Sequence, residues 1–234
     1  MKKEKTLSEN LFDLIKIFVL VIIASLPMTT VLIASTASKN YPSYINWIIA
    51  FMIIAFISLI IRLLLNYYKN ISGMSLHSFS KKDILMDILY LVAFRVIFRV
   101  LSLANSIIFH NSSSSNDKIL FDMINNISLE YFIVFILSLV VFAPFMEELI
   151  FRGIFTSLFF QNKYKTLTII ISSIGFALIH GFDNIISFTI YFLMGLTLYL
   201  AYKRRWNLAD SILVHALNNS IGAVILTLIY FNIV

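Results

Sequence analysis

Three short stretches hold the residues able to do chemistry: "EELIFR" at 147–152, "FALIH" at 176–180 and "HALNN" at 215–219. They supply Glu147, Glu148, Arg152, His180, His215 and Asn219. A carboxylate can take a proton from water as a general base. Imidazole and amide groups can donate to the negative charge that develops on an attacked carbonyl, and such donors count for most in a low-dielectric site. Together these groups suit hydrolysis. Glu147, His180 and His215 also form a His₂Glu set, which is a known catalytic zinc combination. No HExxH stretch supports that option.

Spacing sorts these residues onto faces. Glu148 and Arg152 are four apart, as are Phe176 and His180, and His215 and Asn219; residues so spaced share one side of a helix. The Glu148–Arg152 pair has its acid on the N-terminal side, the better order for an ion pair. Glu147 lies about 100° around the helix from Glu148 and faces elsewhere. Ser172, Ser173, Gly175 and Ala177 are small, which lets a neighbouring helix come close. Each feature also has a purely structural reading: a Glu–Arg clamp, or a histidine hydrogen-bonded to the next helix. The functional case is the set occurring together. Arg95 and Arg99 read as anchors or as partners of acids such as Asp87. Asp183 and Asp210 read as helix caps. His77 and His110 fall in loops and carry no assignment.

The elements that must position these residues are membrane helices. Of 234 residues, 60% are hydrophobic and 13% charged, against nearly half and about a quarter in soluble domains. Apolar runs of about 20 residues recur along the chain, the signature of transmembrane helices. The expected fold is all-α, a polytopic bundle of about seven spans. These run over 11–35, 45–67, 84–109, 128–160, 166–182, 185–202 and 208 to the end. A polar loop, "HNSSSSNDK", occupies 110–118, and 119–127 reads as a short interfacial helix. The whole chain reads as one membrane domain, with 128–234 as the core that carries the three motifs. Cysteine is absent, which excludes disulfides, thiolate metal sites and cysteine nucleophiles. The net charge of +6 fits basic cytoplasmic loops, so no nucleic-acid partner is expected.

Charge asymmetry predicts the orientation. With the N-terminus cytoplasmic, the inside segments hold Lys2, Lys3, Lys5, Arg62, Lys69, Lys81, Lys82, Lys163, Lys165, Lys203, Arg204 and Arg205. The outside segments hold only Lys39 and Lys118. Depth predicts convergence. Glu147 lies 13 residues before Phe160, and His180 lies 14 after Thr166, so both sit roughly 20 Å from the turn that Lys163 and Lys165 mark. His215 and Asn219 lie 8 and 12 residues after Asn207, roughly 12 and 18 Å from the same side.

The three motifs, in this order on successive polar helices, resemble the CPBP intramembrane proteases, the CAAX prenyl endopeptidase and bacteriocin-processing (Abi) family. The likeness covers 144–222. It implies peptide-bond hydrolysis inside the membrane, with Glu147 as general base, His180 holding the water, and His215 and Asn219 stabilising the oxyanion. Glu148 and Arg152 would brace the helix, with Phe176 beside His180. A metal-free, Glu147-activated water is favoured, with zinc on Glu147, His180 and His215 as the alternative. The expected partners are membrane lipids and a peptide or small-protein substrate. The expected location is a bacterial plasma membrane, with peptide maturation or bacteriocin immunity as the setting. Two rival readings stand beside it: a non-catalytic immunity or scaffold protein, and a small transporter or proton relay.

Overall fold

A computed structural model describes residues 6–110, 114–125, 127–159 and 165–233. The structure is all-helical, as expected, and no strand occurs among the described residues. The helices are α1 (Leu7–Ala24), α2 (Leu26–Ala37), α3 (Ser43–Ser72), α4 (Lys81–Phe109), α5 (Ser115–Ile124), α6 (Leu129–Leu137), α7 (Ala143–Glu148), α8 (Phe155–Phe159), α9 (Lys165–Ile179), α10 (Ile185–Arg205) and α11 (Leu208–Tyr230). Two π-helical segments, Ser138–Phe142 and Leu149–Ile154, join α6, α7 and α8 into one 31-residue rod.

By length and composition, four helices among the described residues can cross a membrane: α3, the α6–α8 rod, α10 and α11. Against the seven spans expected, the first is a bent pair, α1 and α2. These meet at 41°, with Pro27 in the first turn of α2, and would make a fifth crossing if taken together. The third, α4, is not among the four; it carries Asp87, Arg95 and Arg99 along its length. The fifth is short. Its apolar part, Thr166–Ile179, spans about 21 Å, less than the ~30 Å hydrocarbon core. The polar loop is shorter than the sequence implied, because Ser114 opens α5 with a capping box to Asp117. Lys2, Lys3, Lys5, Lys163 and the side chain of Lys165 lie outside the described residues, as do 111–113 of the polar loop.

The rod sits at the centre. Its buried residues include Phe135, Met146, Leu149, Ile150 and Ile154, all completely inaccessible. Among the long helices α3 and α11 pack against it, and the lipid-facing helices turn large apolar side chains outward, such as Phe51 and Leu63 on α3. In a membrane these face lipid, so burial does not separate core from surface as it would in water.

A charged cluster fastens one end of the bundle. Arg204 reaches Asp83 at 2.8 Å, Asp87 at 3.1 Å and Asp210 at 3.3 Å, while Arg205 reaches Asp83 at 2.9 Å and Asp210 at 2.5 Å. The Ser80 hydroxyl, then Arg204, hold the Asp83 carboxyl below the usual aspartate range. This corrects the expectation for Asp87, whose partner is Arg204 rather than Arg95 or Arg99. Asp210 likewise does more than cap, because it ties α11 to the end of α10. The Asn207 side chain bridges this cluster to the α3–α4 loop, accepting from the His77 N–H at 3.1 Å.

Candidate functional site

Glu147 is the penultimate residue of α7, and the π segment begins two residues later. A π turn carries bonds five residues apart, as the Ala143 N–H to Ser138 and the Phe155 N–H to Ile150 show. Such segments are frequent at functional sites because they re-aim the side chains around them. Here the two neighbouring glutamates face different partners. Glu148 is fully buried; its Oε1 accepts from Arg152 Nη1 at 2.9 Å and from His215 Nδ1 at 3.0 Å. Glu147 Oε2 lies 3.9 Å from His180 Nε2 and 3.9 Å from His215 Nε2, and although buried it has no hydrogen-bond partner among the described residues.

The tautomers follow from the partners. Nδ1 of His180 lies 2.8 Å from the Phe176 carbonyl, which can only accept. Nδ1 of His215 faces the Glu148 carboxylate, stabilised as an anion by the Arg152 guanidinium. Both rings therefore carry hydrogen on Nδ1 and turn Nε2 toward Glu147. His215 is almost wholly buried. The Glu147 and His180 side chains keep 14% and 15% of their surface accessible, which leaves a route to this corner.

Phe176 organises the surroundings. Its ring lies 4.5 Å from the His180 ring, 5.6 Å edge-on from His215, and 4.6 Å under the Arg152 guanidinium. Arg152 also donates from Nη2 to the Gly195 carbonyl at 2.7 Å. Gly195 lets α10 come this close: a Cβ there would stand 3.0 Å from Ser173 Cα on α9. The small-residue stripe of α9 thus does what its composition implied. Removing either partner of the ion pair would leave a bare charge in a dry interior, which costs several kcal/mol.

Asn219 stands apart from this trio in its described contacts. Its Nδ2 donates to the Leu139 carbonyl at 3.0 Å, and its Oδ1 accepts from Asn218 Nδ2 at 3.3 Å. The reason lies in the rod. Ala143 donates five residues back to Ser138. The next bond in that series would run from residue 144 to Leu139, but residue 144 is proline and has no N–H. Asn219 supplies the missing donor from another helix. Three contributors were missed from sequence: Gly195, the Pro144–Leu139 gap, and Tyr191, which stacks on His180 at 4.7 Å and bonds Ser114 at 2.9 Å. A proline inside an apolar span was the one signal that pointed to a missing backbone bond.

The donor chemistry of Glu147, His180 and His215 is that of a zinc site, with both Nδ1–H groups anchored as metal-bound imidazoles usually are. The spacing differs. Tetrahedral bonds of 2.0–2.2 Å place ligand atoms about 3.4 Å apart, and the 3.9 Å gaps here are wider. No group of three ligating side chains among the described residues is arranged to hold a metal.

Fold and site together define an all-helical, multi-pass membrane protein in which an acid and two imidazoles from three helices meet inside the bundle. Residues 129–221 match the family model described as "Type II CAAX prenyl endopeptidase Rce1-like". The match covers 93 of the 234 residues and agrees with the family that the three motifs resemble. The UPF0177 protein YaiH of Lactococcus lactis subsp. lactis (strain IL1403) is similar over 85 residues at 39% identity, covering 36% of this chain and 34% of that protein. The chain thus matches about a third of that relative's length. No solved structure matches.

Proposed function

We propose that this protein is an intramembrane endopeptidase that hydrolyses a peptide bond of a membrane-associated peptide. One observation carries the reading: a buried Glu147 oxygen, without a hydrogen-bond partner among the described residues, equidistant from two imidazole nitrogens. A water about 2.8 Å from each of the three atoms subtends roughly a right angle at each 3.9 Å pair. Glu147 takes a proton from that water as its oxygen bonds to the scissile carbonyl carbon, while His180 Nε2 accepts its other hydrogen. The charge that develops on the former carbonyl oxygen is met by His215, the ring that Glu148 anchors through Nδ1. Collapse breaks the C–N bond, and Glu147 passes its proton to the departing amine. Phe176, Glu148 and Arg152 hold the rings in place. Asn219 positions the segment that carries Glu147, through Leu139.

Zinc on Glu147, His180 and His215 remains the alternative source of an activated water, and is tested below. The proposed setting is a bacterial plasma membrane with the N-terminus cytoplasmic, and the proposed substrates are leader, signalling or bacteriocin-like peptides. The test compares membrane peptidomes of cells carrying wild-type protein and Glu147→Ala. A precursor that accumulates only in the variant identifies the substrate. Identical peptidomes, with the variant folded and present in equal amount, would favour the scaffold reading.

A further inference from the structure

Arg95 stands midway along α4, 14 residues from Lys81 and 14 from Phe109, roughly 21 Å from either end. Exposed Val92, Val96 and Val100 flank it, so this stretch of α4 meets lipid, and an arginine side chain cannot snorkel from there to the headgroups. Arg95 itself is half-buried. An ionisable group at such depth is costly and, without a structural partner, marks a functional site.

No acid among the described residues pairs with it. The acids of α4 itself, Asp83 and Asp87, both go to Arg204. α10 and α11 pack against α4; α10 contains no acid, and the one acid of α11, Asp210, goes to Arg204 and Arg205. The described contacts of Arg95 are Asn218 Oδ1, 3.5 Å from Nη1, and the Phe98 ring, 4.6 Å from the guanidinium. Nε and Nη2 have no partner among the described residues. Arg99 follows four residues on, so it shares this side of the helix; it is exposed and makes no ion pair among the described residues.

This guanidinium sits beside the catalytic corner. Asn218 comes three residues after His215 on α11 and donates to Asn219 Oδ1 at 3.3 Å. Phe94, next to Arg95, packs in one apolar cluster with Phe176 and Val214. Helical residues three apart have Cβ atoms ~5–6 Å apart; with the asparagine side chain and the 3.5 Å contact added, Nη1 lies within roughly 12 Å of the His215 Cβ. An extended peptide covers that in about four residues at ~3.3 Å each. The open Nε and Nη2 form a planar fork that suits a carboxylate. We propose, resting on the peptidase reading, that Arg95, with Arg99 behind it, binds a carboxylate of the peptide substrate, carried on an acidic side chain or at the C-terminus.

The test uses the full chain in detergent micelles and three libraries of synthetic apolar peptides. The first has a free C-terminus and no Asp or Glu. The second has an amidated C-terminus with Asp and Glu at random positions, and the third an amidated C-terminus and no acid. Binding is read on Glu147→Gln protein by mass spectrometry of the retained peptides. The first or the second library should be retained about tenfold or more over the third, and the one retained identifies the source of the carboxylate. Arg95→Gln in the same protein, which keeps a donor for Asn218, should remove the preference. Equal retention of all three libraries, which involves no change at Arg95, would overturn the proposal, as would a preference that survives Arg95→Gln. Cleavage of the libraries by wild-type protein is scored separately. Cleavage with no preference for carboxylates overturns the role of Arg95 and leaves the peptidase reading standing. Retention that depends on Arg95, with no cleavage, keeps the carboxylate site and counts against the peptidase.

Discussion

Replacing Asn219 with alanine removes the donor that reaches Leu139 at 3.0 Å. Leu139 is 8% exposed, so its carbonyl has little access to water, and a buried acceptor stripped of its partner costs about 1–3 kcal/mol. The carbonyl depends on Asn219 because Pro144 contributes no N–H. Pro144→Ala restores an N–H five residues along, in the register that Ala143 already uses with Ser138. Asn219→Ala should therefore cost about 1–3 kcal/mol in the native background and under ~1 kcal/mol beside Pro144→Ala. The assay is a double-mutant cycle by reversible unfolding in mixed micelles, with peptide processing measured on the same four proteins. A coupling energy of about 1–2 kcal/mol, with processing recovered in the double variant, is the expected outcome. If the two changes add to within ~0.5 kcal/mol, the argument from the missing proline donor is wrong. If stability couples but processing stays lost, Asn219 donates directly to the oxyanion, as the family resemblance implied.

Glu147→Gln keeps the shape of the side chain and removes its basicity, and should lower processing by about 10²–10⁴-fold at unchanged fold, measured by precursor accumulation; undiminished turnover would end the general-base role. Strict chelation should leave processing intact in purified protein, and loss restored by added zinc would show that the 3.9 Å gaps close around a metal. Arg152→Met should destabilise by about 3–5 kcal/mol, because it leaves Glu148 fully buried and uncompensated, whereas Arg152→Met with Glu148→Gln should cost less; equal losses by micellar unfolding would contradict a buried ion pair. Asp183, in the loop before α10, accepts from the Ser115 hydroxyl and from its N–H at 2.8 Å, and these bonds hold its carboxyl below the usual range. A depressed folded-state value means this contribution is full above the unfolded aspartate value near 3.9 and fades as pH falls through the folded one. Thermal scans from neutral to acid pH should therefore fall less steeply for Asp183→Asn than for wild type, and parallel curves would show that this link between α5 and α10 carries no stability.

Much of this protein was legible in its sequence because the bilayer imposes blunt rules. Long apolar runs had to be helices, since backbone groups in lipid must bond within their own segment. Ionisable residues stood out because lipid makes them costly, so Glu147, Glu148, Arg152, His180 and His215 were recognisable before any coordinate. Equal depth along antiparallel helices then predicted the meeting of Glu147 with His180. Depth counts residues along an axis and says nothing about rotation around it. The π segments on both sides of α7 change that rotation, and only the tertiary structure decided that Glu148 would face the Nδ1 of His215 while Glu147 faces both Nε2 atoms. The same limit hid the Asn219–Leu139 bond, because a carbonyl left without its helical donor has no side chain to announce it. Partner choice among charges was equally out of reach: Asp87 had Arg95 and Arg99 nearby on its own helix, yet the chain return from α10 delivered Arg204 to it. Sequence determined which groups must avoid lipid, because that cost belongs to each residue alone. The fold decided whom each group meets, because that depends on helix rotation, close approach at Gly195 and the ends of helices distant in the chain.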